Sequence, residues 1–555
     1  YRIDKNDIQQ SLSLARFNLL SLFLPAVSPG VDIVDERSKL CRKTKRSDGG
    51  NEILRSLLVD NRAPKFRDAI DDPVIPYKLS KDTTLNSNQK EAIDKVMRAE
   101  DYALILGMPG TGKTTVIAEI IKILVSEGKR VLLTSYTHSA VDNILIKLRN
   151  TNISIMRLGM KHKVHPDTQK YVPNYASVKS YNDYLSKINS TSVVATTCLG
   201  INDILFTLNE KDFDYVILDE ASQISMPVAL GPLRYGNRFI MVGDHYQLPP
   251  LVKNDAARLG GLEESLFKTF CEKHPESVAE LTLQYRMCGD IVTLSNFLIY
   301  DNKLKCGNNE VFAQSLELPM PEALSQYRNE SANSKQWLED ILEPTRKVVF
   351  LNYDNCPDII EQSEKDNITN HGEAELTLQC VEGMLLSGVP CEDIGVMTLY
   401  RAQLRLLKKI FNKNVYDGLE ILTADQFQGR DKKCIIISMV RRNSQLNGGA
   451  LLKELRRVNV AMTRAKSKLI IIGSKSTIGS VPEIKSFVNL LEERNWVYTM
   501  CKDALYKYKF PDRSNAIDEA CKGCGKRTGA KPITSKSKFV SDKPIIKEIL
   551  QEYES

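Results

Sequence analysis

The stretch LILGMPGTGKTT, from Leu104 to Thr115, constrains this chain more than any other feature. It reads G-x-x-x-x-G-K-T from Gly107 to Thr114, between an apolar run, YALIL (Tyr102 to Leu106), and a segment, VIAEIIKILVSEG, with apolar residues at helical spacing. A phosphate chain carries several negative charges and needs donors at short range. Glycines let backbone N–H groups turn inward around it, and a following helix adds the positive end of its dipole. Gly107, Met108, Pro109, Gly110, Thr111, Gly112, Lys113 and Thr114 are therefore the expected phosphate loop of a nucleoside triphosphate site. Lys113 is expected to reach the β- and γ-phosphates and Thr114 to hold Mg²⁺.

Further segments supply the rest of such a site. FDYVILDEASQ is an apolar run ending in Asp219 and Glu220. Acids at the C-terminal end of a parallel strand lie beside the phosphate loop, so Asp219 is expected in the Mg²⁺ shell and Glu220 beside the attacking water. RFIMVGDHYQLPP places Gln247 after another short strand, where an amide can sense a γ-phosphate; a polar turn is the plain alternative. LTLQYRM carries Gln284 and Arg286, and ELRRVNVAMTRAK carries Arg464. One phosphate loop with two distant arginines implies a closing cleft, with guanidinium groups stabilising charge on the transferring phosphoryl group.

In order, these segments resemble the superfamily 1 helicases. NQKEAI with Gln89 precedes GMPGTGKTT; TSYTHSAVDN, VVATTC, DEASQ, GDHYQLPP, LQYRM, TADQFQGRD and VAMTRA follow. The DEASQ and QYRM forms resemble the branch that includes the nonsense-mediated-decay RNA helicase. Within it the match is nearest the C-terminal helicase half of the eukaryotic DNA replication ATP-dependent helicase/nucleases. The resemblance covers about Leu85 to Ser474. It implies that Gln89 reads the adenine edge, that Gln247 is the γ-phosphate sensor, that Arg286 and Arg464 are arginine fingers, and that Thr196 and Thr423 touch the nucleic-acid backbone. Where many relatives have Q-G-x-E, with the acid near the ribose, this chain ends the motif in Asp431, one methylene shorter.

Strand-like runs without internal polar breaks alternate with helical segments, the pattern of parallel sheets covered on both faces. The expected fold class is α/β, with two tandem RecA-like parallel-sheet motor domains, a helical N-terminal segment and a polar C-terminal tail. The expected division is a helical stalk-like segment over 1–83, a first RecA-like domain over 84–282, and a second over 283–480 with a surface insertion near 305–345. A C-terminal helix over 481–511 and a largely disordered Lys/Ser-rich tail over 512–555 complete it. The chain starts in mid-pattern without Met and reads as a fragment of a longer protein.

Composition is compatible with this and decides little. A net charge of +7 among 555 residues is mildly basic, below the level that by itself signals nucleic-acid binding. Twelve cysteines lack framework spacing and read as reduced thiols. Cys521 and Cys524 are half of a zinc pattern without two further ligands nearby. No apolar run reaches the ~18 residues of a membrane span. The resemblance implies ATP and Mg²⁺ as ligands, with an iron–sulfur cluster only in an upstream nuclease region; no four-cysteine spacing or nuclease site is read within these residues. It also implies single-stranded DNA as partner, a single-strand-binding protein beside it, and a nuclear, and also mitochondrial, location. The expected activity is ATP-driven translocation and unwinding of DNA from 5′ to 3′ in replication and repair. An RNA helicase or ribonucleoprotein remodeller, and a non-enzymatic ATP-binding clamp, are the alternatives.

Overall fold

The computed structural model describes residues 12–20, 22–23, 49–67, 84–174, 181–202, 206, 212–328, 336–364, 367–412, 415–427 and 429–510. Cys521, Cys524 and the expected tail lie outside them, as does most of the stalk-like segment.

The first lobe is a seven-stranded sheet of order β3-β4-β2-β5-β6-β1-β7. Its strands are β1 (Tyr102–Gly107), β2 (Val131–Ser135), β3 (Ile155–Arg157), β4 (Val193–Thr197), β5 (Phe213–Asp219), β6 (Gly236–Gly243) and β7 (Val278–Leu281). Every pairing is parallel. Side chains alternate across a strand. In β1, Tyr102, Leu104 and Leu106 enter one core, and Ala103 and Ile105 enter the core on the opposite face. Both faces are covered, so the strand is apolar at every position, and polar function is pushed to its C-terminal tip. The helix Lys113–Ser126 follows that tip directly and buries Val116, Ile117, Ile120, Ile121 and Leu124.

A short parallel pair, β8 (Leu283–Gln284) with β9 (Lys305–Cys306), leads into the second lobe. There a six-stranded sheet has the order β14-β13-β15-β16-β10-β17. Its strands are β10 (Val348–Asn352), β13 (Ile394–Thr398), β14 (Glu420–Thr423), β15 (Lys432–Ser438), β16 (Ala465–Gly473) and β17 (Val497–Thr499). All are parallel. A small antiparallel pair, β11 (Gln362–Glu364) with β12 (Asn367–Thr369), stands apart. The architecture is thus the α/β one expected, two tandem RecA-like cores.

Three features differ from the sequence picture in detail. Residues 482–499, expected as a separate C-terminal helix, belong to the second lobe: Ile484, Phe487 and Leu491 enter its core and β17 pairs with β10. Part of the expected surface insertion is interior, because the helix Trp337–Leu342 buries Trp337, Leu338 and Ile341, and the Trp337 indole N–H donates to the Ala504 carbonyl at 3.1 Å. N-terminal residues Leu14, Leu22, Leu54 and Leu57 join the core of the first lobe. Behind them, Arg62 forks onto both oxygens of Asp101 at 2.9 and 3.0 Å, the bidentate geometry that makes a guanidinium–carboxylate pair specific.

Candidate functional site

The phosphate loop leaves β1 and turns through two left-handed glycines, Gly110 (φ 74°) and Gly112 (φ 84°). Neither tolerates a side chain. A Cβ on Gly110 would come within 2.7 Å of the Arg286 Cβ, and one on Gly112 within 2.7 Å of the Gln89 amide nitrogen. Gly112 also caps the helix Lys113–Ser126, so the helix N-terminus points into the turn. Lys113 donates its amine to the Gly107 carbonyl at 2.6 Å. Gln89 sits in a capping box with Asn86 and donates to the Thr111 carbonyl at 3.0 Å. Its amide therefore supports the loop from behind.

Asp219 ends β5, and Glu220 follows in the left-handed region at φ 52°. For a non-glycine residue that conformation costs on the order of 1–3 kcal/mol, and such strain clusters at functional sites. Glu220 accepts from the Gln223 amide at 2.7 Å. Burial, then the Glu220 charge, raises the Asp219 carboxyl above the usual range, while Lys113 pulls it back. Two acids beside one amine form a donor set that a divalent cation would complete. Thr114, Asp219 and Glu220 line the same cleft, so the residues fit a Mg²⁺ ion. Gln247 donates to Asp244 at 2.6 Å; Asp244 is itself raised, chiefly by burial.

The arginines come from beyond the first sheet. Arg286 pairs with Asp431 at 3.1 Å and donates to the Thr463 carbonyl at 3.3 Å. Asp431 is also held by Lys466 at 2.6 Å, so the residue at the ribose position of the motif is here a clamp on an arginine. Arg464 is folded back onto its own helix end, donating to the Val460 carbonyl and the Thr463 hydroxyl at 3.0 and 3.1 Å. Burial, then the neighbouring Arg286 charge, presses Arg464 down to about 9. Two crowded, desolvated guanidinium groups favour an anion between them.

A cleft of about 1700 Å³ brings these groups together. Its walls include Met108 through Thr114, Asp219, Glu220, Gln247, Arg286 and Arg464. Gln89, Gly107, Thr196 and Thr423 are not on its walls. Thr196 is buried at the end of β4. Thr423 ends β14 and its hydroxyl accepts from the Gln426 amide N–H at 3.4 Å. Asp431, singled out in the sequence as the shortened acid of its motif, also stands in the cleft, as do two residues that sequence reasoning left without a role: Tyr285, whose N–H donates to the Gly110 carbonyl at 2.9 Å, and Lys466. Both carried a signal, since Tyr285 lies inside the QYRM motif and Lys466 ends the ELRRVNVAMTRAK segment. Among the described residues, no group of three or more His, Cys, Asp or Glu side chains is placed to hold a metal ion, and no helix is long and apolar enough to cross a membrane.

This fold and this cleft define a two-lobed P-loop nucleoside-triphosphatase motor. Two AAA domain family models match the chain, one over residues 84–185 and 175–255 and the other over residues 262–476. Over all 555 of its residues the chain is 99 % identical to the DNA replication ATP-dependent helicase/nuclease of Saccharomyces cerevisiae, covering 36 % of that protein. It is 45 % identical to the Mus musculus DNA replication ATP-dependent helicase/nuclease over 459 residues, 80 % of this chain and 42 % of that protein. The Schizosaccharomyces pombe counterpart is 39 % identical over 566 aligned positions, 100 % of this chain and 37 % of that protein. The chain belongs to the superfamily 1 helicases, in the family of the DNA replication ATP-dependent helicase/nucleases. It spans less than half the length of these relatives.

Proposed function

We propose that this chain is the motor of a helicase/nuclease, an ATP-driven translocase that moves 5′ to 3′ along single-stranded DNA and unwinds duplex in replication and repair. One observation carries the reading. A single cleft gathers the phosphate loop and the Asp219–Glu220 acids from the first lobe and two arginines, buried Arg464 and half-buried Arg286, from beyond it. Such a site is complete only when the lobes close, so nucleotide state and lobe separation are linked.

The residue roles follow from chemistry. Lys113 and the Gly107–Thr114 loop bind the phosphates, and Gln89 reads the adenine edge, for which its amide must leave the Thr111 carbonyl. Thr114 and Asp219 would hold Mg²⁺, which neutralises phosphate charge when bound. Glu220 takes the proton of the attacking water, Gln247 senses the γ-phosphate, and Arg464 and Arg286 stabilise the equatorial charge. Arg464 must leave Val460 and Thr463 to do so. Thr423, half-buried at the tip of β14, grips the strand backbone, a sequence-independent contact, and Thr196 does so once uncovered from its buried place in β4. A single-strand-binding protein is the proposed partner, the nucleus the proposed location, and the mitochondrion a second one. Any iron–sulfur cluster belongs to a nuclease region outside these residues, which are proposed not to cut DNA.

Strand displacement from a 5′-overhang substrate against a 3′-overhang substrate tests the direction, with ATP turnover titrated in parallel with single-stranded DNA and RNA. Unwinding from the 5′ overhang alone, with DNA the stronger stimulant, is expected. Unwinding only from the 3′ overhang rejects the direction, and stronger stimulation by RNA rejects the substrate. The same gel shows any Mg²⁺-dependent shortening of a strand.

A further inference from the structure

We propose that Tyr300 is a positioning residue that ties the γ-phosphate side of the cleft to the helix that leads into Arg464, an inference that rests on reading the cleft as an ATP site. Tyr300 is buried in the core of the second lobe. Its ring meets Tyr246, from the first lobe, edge-on at 5.9 Å. Its hydroxyl donates to Asp244 Oδ2 at 2.8 Å and accepts from the Asn459 amide at 3.3 Å. Asn459 is fixed from its other side by the Ser295 hydroxyl at 2.7 Å. It lies in the helix Leu455–Met462, which ends two residues before Arg464. The same Asp244 Oδ2 takes the Gln247 amide. A continuous buried chain thus runs Gln247, Asp244, Tyr300, Asn459, and every link is at hydrogen-bond distance.

The chain has two arrangements. In the one described, Gln247 gives its amide to Asp244. When a γ-phosphate arrives, that amide has a second, more highly charged acceptor. If it turns there, Asp244 keeps the Tyr300 hydroxyl and the Tyr246 N–H, the latter at 3.1 Å. A buried carboxylate cannot replace a lost donor with water, so it holds its remaining donors more tightly. The phenol is the only one of these that belongs to the second lobe's core. Nucleotide arrival at Gln247 therefore tightens the joint that positions Asn459 and, at the end of its helix, Arg464. Such an amide, with two alternative acceptors, is the discrete element that coupling between sites requires.

A double-mutant cycle in the full chain tests this, comparing wild type, Tyr300→Phe, Gln247→Ala and the double variant. Single-turnover ATP hydrolysis on single-stranded DNA and the affinity for a fluorescent ATP analogue are both read. Tyr300→Phe is expected to slow hydrolysis about tenfold and leave affinity within about threefold, with the double variant no slower than the slower single. A merely structural role would lower affinity together with rate, and independent roles would multiply in the double variant; either result, or an unchanged rate, overturns the proposal. Should Tyr300→Phe melt far below wild type, Asn459→Ala breaks the next link and keeps the phenol. The same split between rate and affinity is expected there, and a normal rate overturns the proposal. Lys113→Ala runs alongside. Wild-type turnover in Lys113→Ala would sink the ATP-site reading and the relay with it, whereas fast hydrolysis by Tyr300→Phe beside an inactive Lys113→Ala refutes the relay alone.

Discussion

The two lobes place corresponding strands one in from the edge of similar sheets and finish them with opposite chemistry. In the first, β1 lies between β6 and β7 and opens into the phosphate loop. Its glycine turn and helix N-terminus present donors, so the tip suits an anion. In the second, β10 lies between β16 and β17. The loop after it turns its carbonyls inward onto Arg442, which donates to Asp354 at 2.9 Å, Ile359 at 2.8 Å, Tyr353 at 3.2 Å, and Cys356. The guanidinium also stands over the Tyr353 ring at 5.6 Å. Where the first lobe would take phosphate, the second has a built-in cation. A repeated fold thus yields one nucleotide site, and the second lobe is left free to supply arginines to the first.

The largest effect expected lies at the first of these tips. Lys113→Ala should reduce DNA-stimulated ATP hydrolysis by about 10² or more, the scale of losing one preorganised donor aimed at developing charge. The side chain is anchored only on the Gly107 carbonyl, so the melting temperature should stay near wild type. Turnover within about threefold of wild type, a change too small for a group that neutralises phosphoryl charge, would remove the distinction between the tips.

Next comes the contribution of the second lobe to the first. Arginine fingers are worth on the order of 10³–10⁵ in rate elsewhere, and allowing for context Arg464→Ala should slow the catalytic step at least about 10²-fold. Nucleotide affinity should change less, because in the described state the guanidinium is spent on Val460 and Thr463. Pre-steady-state hydrolysis set beside equilibrium nucleotide binding separates the two. Collapse of affinity with a normal residual rate would show that the second lobe binds nucleotide and does not assist its chemistry.

A smaller effect, on stability, probes the cation in the second tip. Arg442→Ala leaves four carbonyls without their donor, and with part of them reached by water the loss should be about 2–4 kcal/mol. Nucleotide affinity of the first lobe should be unaffected. Denaturant unfolding with a nucleotide-binding assay on the same sample checks both. An unchanged midpoint would mean that the inward carbonyls are satisfied without Arg442.

That contrast was only half legible in the sequence. Long runs such as YVILD at Tyr215 to Asp219 and the glycine loop announce themselves, because burial on both faces forbids polar residues and phosphate binding demands glycine. In the two main sheets the strands without a legible run are β3, β7 and β17, which have three or four residues each and lie at sheet edges, where one side has no partner strand and the apolar pattern is too short to stand out. The site divides in the same way. The phosphate loop, the acids and the arginines occupy recognisable motifs, but the clamp of Asp431 on Arg286 spans 145 residues of sequence and the Arg442 plug spans more than 80. Ordinary polar residues that meet only through the tertiary fold leave no local spacing to read.

The smallest effect concerns how each lobe treats a buried acid. Asp219 faces a second acid and one amine, the arrangement of a site awaiting a cation. Glu373 in the second lobe is equally buried but answered: it accepts from the Ser438 hydroxyl at 2.6 Å, the Tyr353 hydroxyl at 2.5 Å and the Val440 N–H at 2.8 Å. Those bonds also hold Val440 at φ 72°, a costly conformation for a β-branched residue. Burial still outweighs them and pushes the Glu373 carboxyl up to about 7. A raised carboxyl favours the folded state while it is protonated. Its contribution is full below the unfolded value near 4.5 and is lost as pH rises through 7. Each unit of displacement is worth about 1.4 kcal/mol, so wild type should lose on the order of 1–3 kcal/mol more than Glu373→Gln between pH 5 and 8. The variant starts lower, since an amide cannot accept all three bonds, and the slopes rather than the levels decide. Melting curves of both proteins across that range check it; parallel slopes would mean that the three donors hold Glu373 ionised throughout, and that the second lobe carries a satisfied charge where the first carries an unsatisfied one.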